Sequence, residues 1–292
     1  MRHEYSLAHL TALSLPPPRL VEIAARSGYR YVGLRLNRVT SEEVLYDLAH
    51  DRALMHETKA RLAATGVEVL DVELARMDPD HDPQSYASLL EAGAQLGARH
   101  VITQLPDPDR ERATERYAAL CDLAKPLGLT LDLEFPSWTE TPDLATATQV
   151  LRAVNRTNAG MLIDTLHFDR SDCSLEELAA LPRGWFNYVH VCDAPKEKPA
   201  TKEGLIHAAR CERLFPGEGG IDVRAILACL PEDIPYALEI PRDSLARVLG
   251  VEECARLALE AARNHLDGDD VASSGSRGAR AAVPKPVPAR AF

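Results

Sequence analysis

Leu129-Thr130-Leu131-Asp132-Leu133-Glu134-Phe135 reads as a β-strand with two different faces. Side chains alternate across a strand, so the leucines share one face and Thr130, Asp132 and Glu134 the other. In a closed barrel the leucines would pack under helices. The polar set would point inward, with Glu134 at the C-terminal mouth. Three later runs repeat this reading. Asp164 ends Gly160–Asp164, and His190 lies between Val189 and Val191 in Tyr188–Cys192. In Tyr236–Ile240, the residues Tyr236, Leu238 and Ile240 suit a helix layer, which turns Ala237 and Glu239 inward.

Further apolar runs occupy Tyr5–Leu10, Tyr29–Leu36, Val67–Leu74 and His100–Leu105. With Leu129–Phe135 and the three later runs that makes eight, and each precedes a helix candidate: about 17–27, 41–64, 83–96, 109–126, 141–155, 174–180, 222–230 and 243–265. The last has Val251, Cys254, Ala255, Ala258, Leu259 and Ala262 on one stripe. The second opens on Thr40-Ser41-Glu42-Glu43, hydroxyls before acids, a helix-start pattern. Eight strand–helix units in about 265 residues predict a single-domain α/β protein, a (β/α)8 TIM barrel over 1–267. A doubly wound sheet would usually show a glycine-rich first turn, whereas the first run leads into LTALSLPPP, residues 10–18. Residues 268–292 are rich in Ala, Ser, Gly, Pro and Arg, and their composition predicts a disordered C-terminal tail.

Charge narrows the function classes. Lys and Arg number 33 against 44 Asp and Glu, a net charge of −11, which disfavours a phosphate backbone as partner. A hydrophobic content of 46% is that of an ordinary soluble domain, and no run approaches membrane-span length. MRHEYSLAHL, residues 1–10, lacks the apolar core of a secretory signal. The six cysteines are scattered without a CxxC pair and read as free thiols. The expectation is a cytoplasmic protein that binds a small molecule, with a homo-oligomer among the assemblies open to it.

Glu134, Asp164, His190 and Glu239 thus end four successive strands, all facing in. Three carboxylates cannot share a desolvated mouth unpaired. One divalent cation removes the difficulty, and this donor set suits Mn2+, Mg2+, Co2+ or Zn2+. Singly, each residue has a plainer use: an arginine partner for either glutamate, a helix cap for Asp164, a satisfied core position for His190. Asp78-Pro79-Asp80-His81-Asp82-Pro83 resembles a metal site on paper, but its prolines predict a polar loop and helix start. Pro216-Gly217-Glu218-Gly219-Gly220 lacks the Lys-Ser/Thr ending of a phosphate loop and reads as a turn shaping the mouth.

LDLEFPSW (131–138), LIDTLHFDRS (162–171), VHVCDA (189–194), RLFPGEGGID (213–222) and ALEIP (237–241) together resemble the xylose isomerase-like TIM-barrel superfamily, the sugar phosphate isomerases and epimerases. The resemblance covers about residues 1–266. It implies metal binding by Glu134, Asp164, His190 and Glu239, with Glu134 and Glu239 also the catalytic acid/base pair. His167 and Arg213 would contact substrate. The segment before Arg213 is longer than in the ketose epimerases, which leaves Arg210 as its stand-in. Asp193 would support His190 or add a ligand.

The implied activity is that of a divalent-metal-dependent sugar or sugar phosphate isomerase/epimerase. It would abstract a proton next to a carbonyl of a polyol or sugar substrate through a metal-stabilised enediolate. A dehydratase of an inosose or dehydroshikimate would share the first step. A DNA-repair nuclease would need more zinc ligands and a basic groove; the acidic charge and the plain ends of Val67–Leu74 and His100–Leu105 argue against it. An inactive barrel serving as a binding module is the remaining alternative. Trp138 can stack on a sugar face or pack its loop, and Lys196, Lys198 and Lys202 read as a solvated loop.

Overall fold

The computed structural model describes residues 3–268. Its strands are β1 (Tyr5–Leu7), β2 (Tyr31–Arg35), β3 (Glu68–Arg76), β4 (His100–Gln104), β5 (Thr130–Leu133), β6 (Ala159–Met161), β7 (Ile163–Asp164), β8 (Val189–Val191) and β9 (Tyr236–Leu238). All pairing between them is parallel, in the order β6-β5-β4-β3-β2-β1-β9-β8-β7. Only Leu162 separates β6 from β7, so the two form one stave of an eight-stave, nearly closed barrel.

Around it run α1 (Pro17–Ser27), α2 (Arg52–Thr65), α3 (Ala87–Gln95), α4 (Arg110–Ala124), α5 (Leu144–Val154), α6 (Thr165–Arg170), α7 (Leu175–Ala179), α8 (Lys202–Cys211), α9 (Val223–Ala228), α10 (Asp243–Leu249) and α11 (Val251–Leu266). No described helix is long and apolar enough to cross a membrane.

The alternation read from the strands holds. Leu131, Leu133, Val189, Val191, Tyr236 and Leu238 are buried in the large core between strands and helices. A second, smaller cluster fills the barrel axis: Tyr31, Leu70, Leu74, Ile102, Leu162, Tyr188 and Ala237. The stripe of α11 buries Cys254, Ala255, Ala258, Leu259 and Ala262, as its spacing predicts.

Several boundaries differ from expectation. The second helix does not start at Thr40. Glu43 instead accepts the Val39 backbone N–H at 2.9 Å and the Arg35 guanidinium at 3.2 Å, which binds residues 39–43 into a loop. Asp51 caps α2 by accepting the Leu54 N–H at 2.9 Å. The helix expected over 243–265 breaks at Gly250, whose φ of 82° leaves the helical region. Helices α6 and α8 were not foreseen. The Asp78–Pro83 run is a loop leading into a short 3-10 turn capped by Asp82, as expected. The expected disordered tail lies outside the described residues from position 269 onward.

Candidate metal centre and substrate pocket

The mouth is built by strands that end on inward polar side chains. Glu134 follows β5 directly, Asp164 ends β7, His190 is the middle of β8, and Glu239 follows β9. Each offers a ligand atom, and these atoms lie within 4.8 Å of one another. The four residues are 0–5% exposed. His190 Nδ1 stands 3.4 Å from Glu239 Oε2, 3.8 Å from Asp164 Oδ2 and 3.9 Å from Glu134 Oε1. Neither ring nitrogen makes a hydrogen bond among the described residues. Three carboxylates around an imidazole with uncommitted nitrogens are an oxygen-rich donor set that can hold a divalent cation. This is the only such grouping found among the described residues.

The electrostatics divide the two glutamates. Burial, together with Glu239 and Asp164, pushes Glu134 up to about 7. Burial also pulls Glu239 upward, but His190 and Arg213 outweigh it and hold that carboxyl well below the usual range. Burial opposes charge on His190, yet Glu239, Glu134 and Asp164 raise it to about 10. Without a cation the imidazole therefore carries the positive charge that the carboxylates require.

Arg213, 1% exposed, completes the cluster. Its guanidinium reaches Asp164 Oδ2 at 2.6 Å and Glu239 Oε2 at 2.8 Å, and its Nε donates to the Ala209 carbonyl at 2.7 Å. The arginine expected at the substrate is thus buried among the acidic ligand candidates, and Arg210 takes a separate place on the pocket wall. Asp164 serves two purposes. Its Oδ1 caps α6 through the N–H groups of Leu166 and His167, which leaves Oδ2 for the cluster. His167 is buried, and its ring packs edge-on to Trp138 at 5.0 Å. Both line the pocket above the cluster with Glu134 and Glu239. That pocket is narrow and opens to solvent.

Asp193 departs from expectation. It neither supports His190 nor joins the cluster. Its Oδ2 accepts N–H bonds from Gly217 and Gly219, and its Oδ1 from Ala194 and Ile221, at 2.8–3.1 Å. It therefore ties the Pro216–Gly220 turn to the end of β8. The turn needs glycine there, because a Cβ on Gly219 would lie 2.2 Å from the Ala194 carbonyl oxygen. In the loop after β8, Lys198 pairs with Asp172 at the surface.

Strands three and four do not end plainly. Gln104, the last residue of β4, donates to Glu134 Oε2 at 2.6 Å. Glu73 of β3 pairs with Arg35 of β2, whose Nε and Nη2 both donate to Glu73 Oε2, at 2.9 and 2.6 Å. Arg35 was legible in principle. Tyr31, Gly33 and Arg35 share one parity, so the rule used for the fifth strand puts Arg35 at the mouth. Glu73 was not, because β3 shifts register between Val72 and Ala75 and alternation fails there.

Residues 21–264 match the family described as xylose isomerase-like TIM barrel. The chain belongs to this family. Among curated relatives, an inosose isomerase of Bacillus licheniformis is 27% identical over 192 residues, 61% of this chain and 66% of that protein. An L-ribulose 3-epimerase of Mesorhizobium japonicum is 29% identical over 188 residues, 63% of this chain and 56% of that protein. The chain thus aligns with 56–66% of the length of these two relatives. Among solved structures, the IOLI protein with a binding zinc atom has a TM-score of 0.75 at 20% identity, over 92% of this chain and 99% of that one. A D-allulose 3-epimerase from Methylomonas sp. in complex with D-allulose has a TM-score of 0.65 at 19% identity, over 90% and 97%.

Proposed function

We propose that the protein is a divalent-metal-dependent isomerase or epimerase of a polyol or sugar, working by proton transfer at a carbon next to a carbonyl. One observation carries this reading: two glutamates of unlike proton affinity, Glu134 and Glu239, share one buried cluster with Asp164 and His190. The names of the relatives, an inosose isomerase and a ribulose epimerase, support the reaction class.

Glu134, Asp164, His190 and Glu239 would hold the cation. When bound, it would supply positive charge to offset the negative charge that develops on substrate oxygen. The chain's own residues do the rest. Glu239, ion-paired with Arg213, and Glu134 are the two groups placed to exchange protons with the substrate, one accepting the carbon-bound proton and the other returning one. Gln104 fixes one oxygen of Glu134 and so its orientation. Trp138 and His167 wall the pocket, and His167 offers a ring nitrogen, Nδ1, that is free of other hydrogen bonds among the described residues.

The test is hydrogen exchange. The full chain with Mn2+ is incubated in D2O with 2-keto-myo-inositol, L-ribulose and D-allulose, and proton NMR follows deuterium entering carbon next to the carbonyl. Exchange with at least one ketose is expected. A protein that takes up the cation but exchanges none of them, nor a wider ketose panel, would overturn the proton-transfer reading. Exchange followed by loss of water would assign the site to elimination.

A further inference from the structure

Three arginines line the pocket, and two of them are neutralised. Arg35 pairs with Glu73 and Glu43, and Arg213 with Asp164 and Glu239. Arg210, in the last turn of α8, has neither an ion pair nor a hydrogen bond among the described residues, although it too lines the pocket and is half-buried. Its surroundings do not favour a lone cation. Burial and the neighbouring charges of Arg35 and Arg76 oppose its charge, and only Glu43, which already accepts a bond from Arg35, offsets them appreciably. A helix C-terminus favours a cation in its last turn, but that does not require the side chain to border a pocket. Leu10, Val39 and Leu74 give the same pocket apolar lining, which strengthens charge pairing made there.

We propose that Arg210 receives an anionic group, a terminal carboxylate or phosphate, on the end of the substrate that projects from the acidic cluster toward the rim. The substrate is then an acidic polyol or keto sugar and not a neutral one. The cluster handles the carbonyl end with its carboxylates, which would repel an anion. The arginine lines the same pocket and supplies the missing countercharge. A guanidinium presents a planar fork that matches either oxyanion. The inference rests on the reading that the cluster holds a polyol, and it assigns the class of that polyol.

The experiment measures binding, independently of turnover. The full chain with Mn2+ is titrated calorimetrically with D-ribulose, D-ribulose 5-phosphate and D-tagaturonate. At least one of the two anionic probes is expected to bind about 10- to 100-fold more tightly than the neutral sugar, the range of a charged hydrogen-bonded pair. Which one does so identifies the oxyanion. Arg210→Gln should remove that advantage and leave D-ribulose binding unchanged, and Arg210→Lys should retain part of it. Raising the salt to 0.5 M should narrow the gap. Equal binding of all three probes, no binding of either anion, or a Gln variant that weakens charged and neutral probes alike would each overturn the proposal. Anion-selective binding without deuterium exchange would sink the isomerase reading and leave the anion receptor standing. Exchange of neutral ketoses without anion preference would do the reverse.

Discussion

The floor and the mouth of the barrel both bury carboxylates, and β5 contributes one to each. Asp132 lies at the floor. Asn187 donates to its Oδ1 and Thr130 to its Oδ2, both at 2.6 Å, and His100 stands 3.6 Å away. Each oxygen has a partner, and the backbone is shaped to fit: a Cβ on Gly160 would lie 2.2 Å from Asp132 Oδ1. Glu134, two residues on, lies at the mouth. Gln104 satisfies one of its oxygens, while the other stands 3.9 Å from His190 Nδ1, which itself lies 3.8 and 3.4 Å from Asp164 and Glu239. Burial alone therefore does not mark a functional acid. Asp132 is in a closed network, and Glu134 is in an open one that a cation and a substrate can complete.

Breaking the mouth should cost most. Glu239→Gln keeps the size of the side chain and removes its charge and proton acceptor. Turnover, followed by deuterium wash-in, should fall by roughly 10^2-fold or more, while the fold is kept at a reduced unfolding free energy, because Arg213 and His190 lose a buried anionic partner. An unchanged rate would remove Glu239 from the chemistry and leave Glu134 as the base.

Metal uptake should follow the protons of the same cluster. His190, raised to about 10, is protonated at neutral pH and must release that proton to coordinate. Affinity for Mn2+ should therefore rise about tenfold per pH unit between pH 7.5 and 9. Below pH 6.5, where Glu134 also holds a proton, the dependence should steepen. Calorimetry in buffers of different ionisation enthalpy would count the protons. A pH-independent affinity would mean that His190 is not a ligand.

The floor gives the contrasting case. Asp132→Asn replaces one of the two acceptor oxygens by an NH2 donor, which then faces either the Asn187 amide or the Thr130 hydroxyl. It should cost about 1–3 kcal/mol of stability in denaturant unfolding, while Mn2+ affinity and turnover stay within twofold. A folded Asp132→Asn protein with turnover reduced tenfold would show that floor and mouth act as one network.

The smallest effect concerns a helix boundary. Asp51→Ala should cost about 1 kcal/mol, because Asp51 caps α2. Ser41→Ala should stay within about 0.5 kcal/mol, because Ser41 lies in an exposed loop. The opposite order would restore the longer second helix.

Alternation along the strands was enough, by itself, to place Glu134, Asp164, His190 and Glu239 on one face at consecutive strand ends. It sufficed because a two-residue period and the C-terminal position of a strand's last residue are local properties of the chain. Where the local rule is interrupted, reading failed. The register shift in β3 hid Glu73, and Glu43 folded back to Arg35 and Val39 where a helix start was expected. Other features depend on what the closed barrel brings together. Gln104 against Glu134, Arg213 between Asp164 and Glu239, and Asp193 beneath the glycine turn join residues 24 to 49 positions apart. No periodicity records such pairings. Ring closure decides which strand end faces which, and the competition among nearby charges then decides which arginine is neutralised and which is left facing the pocket.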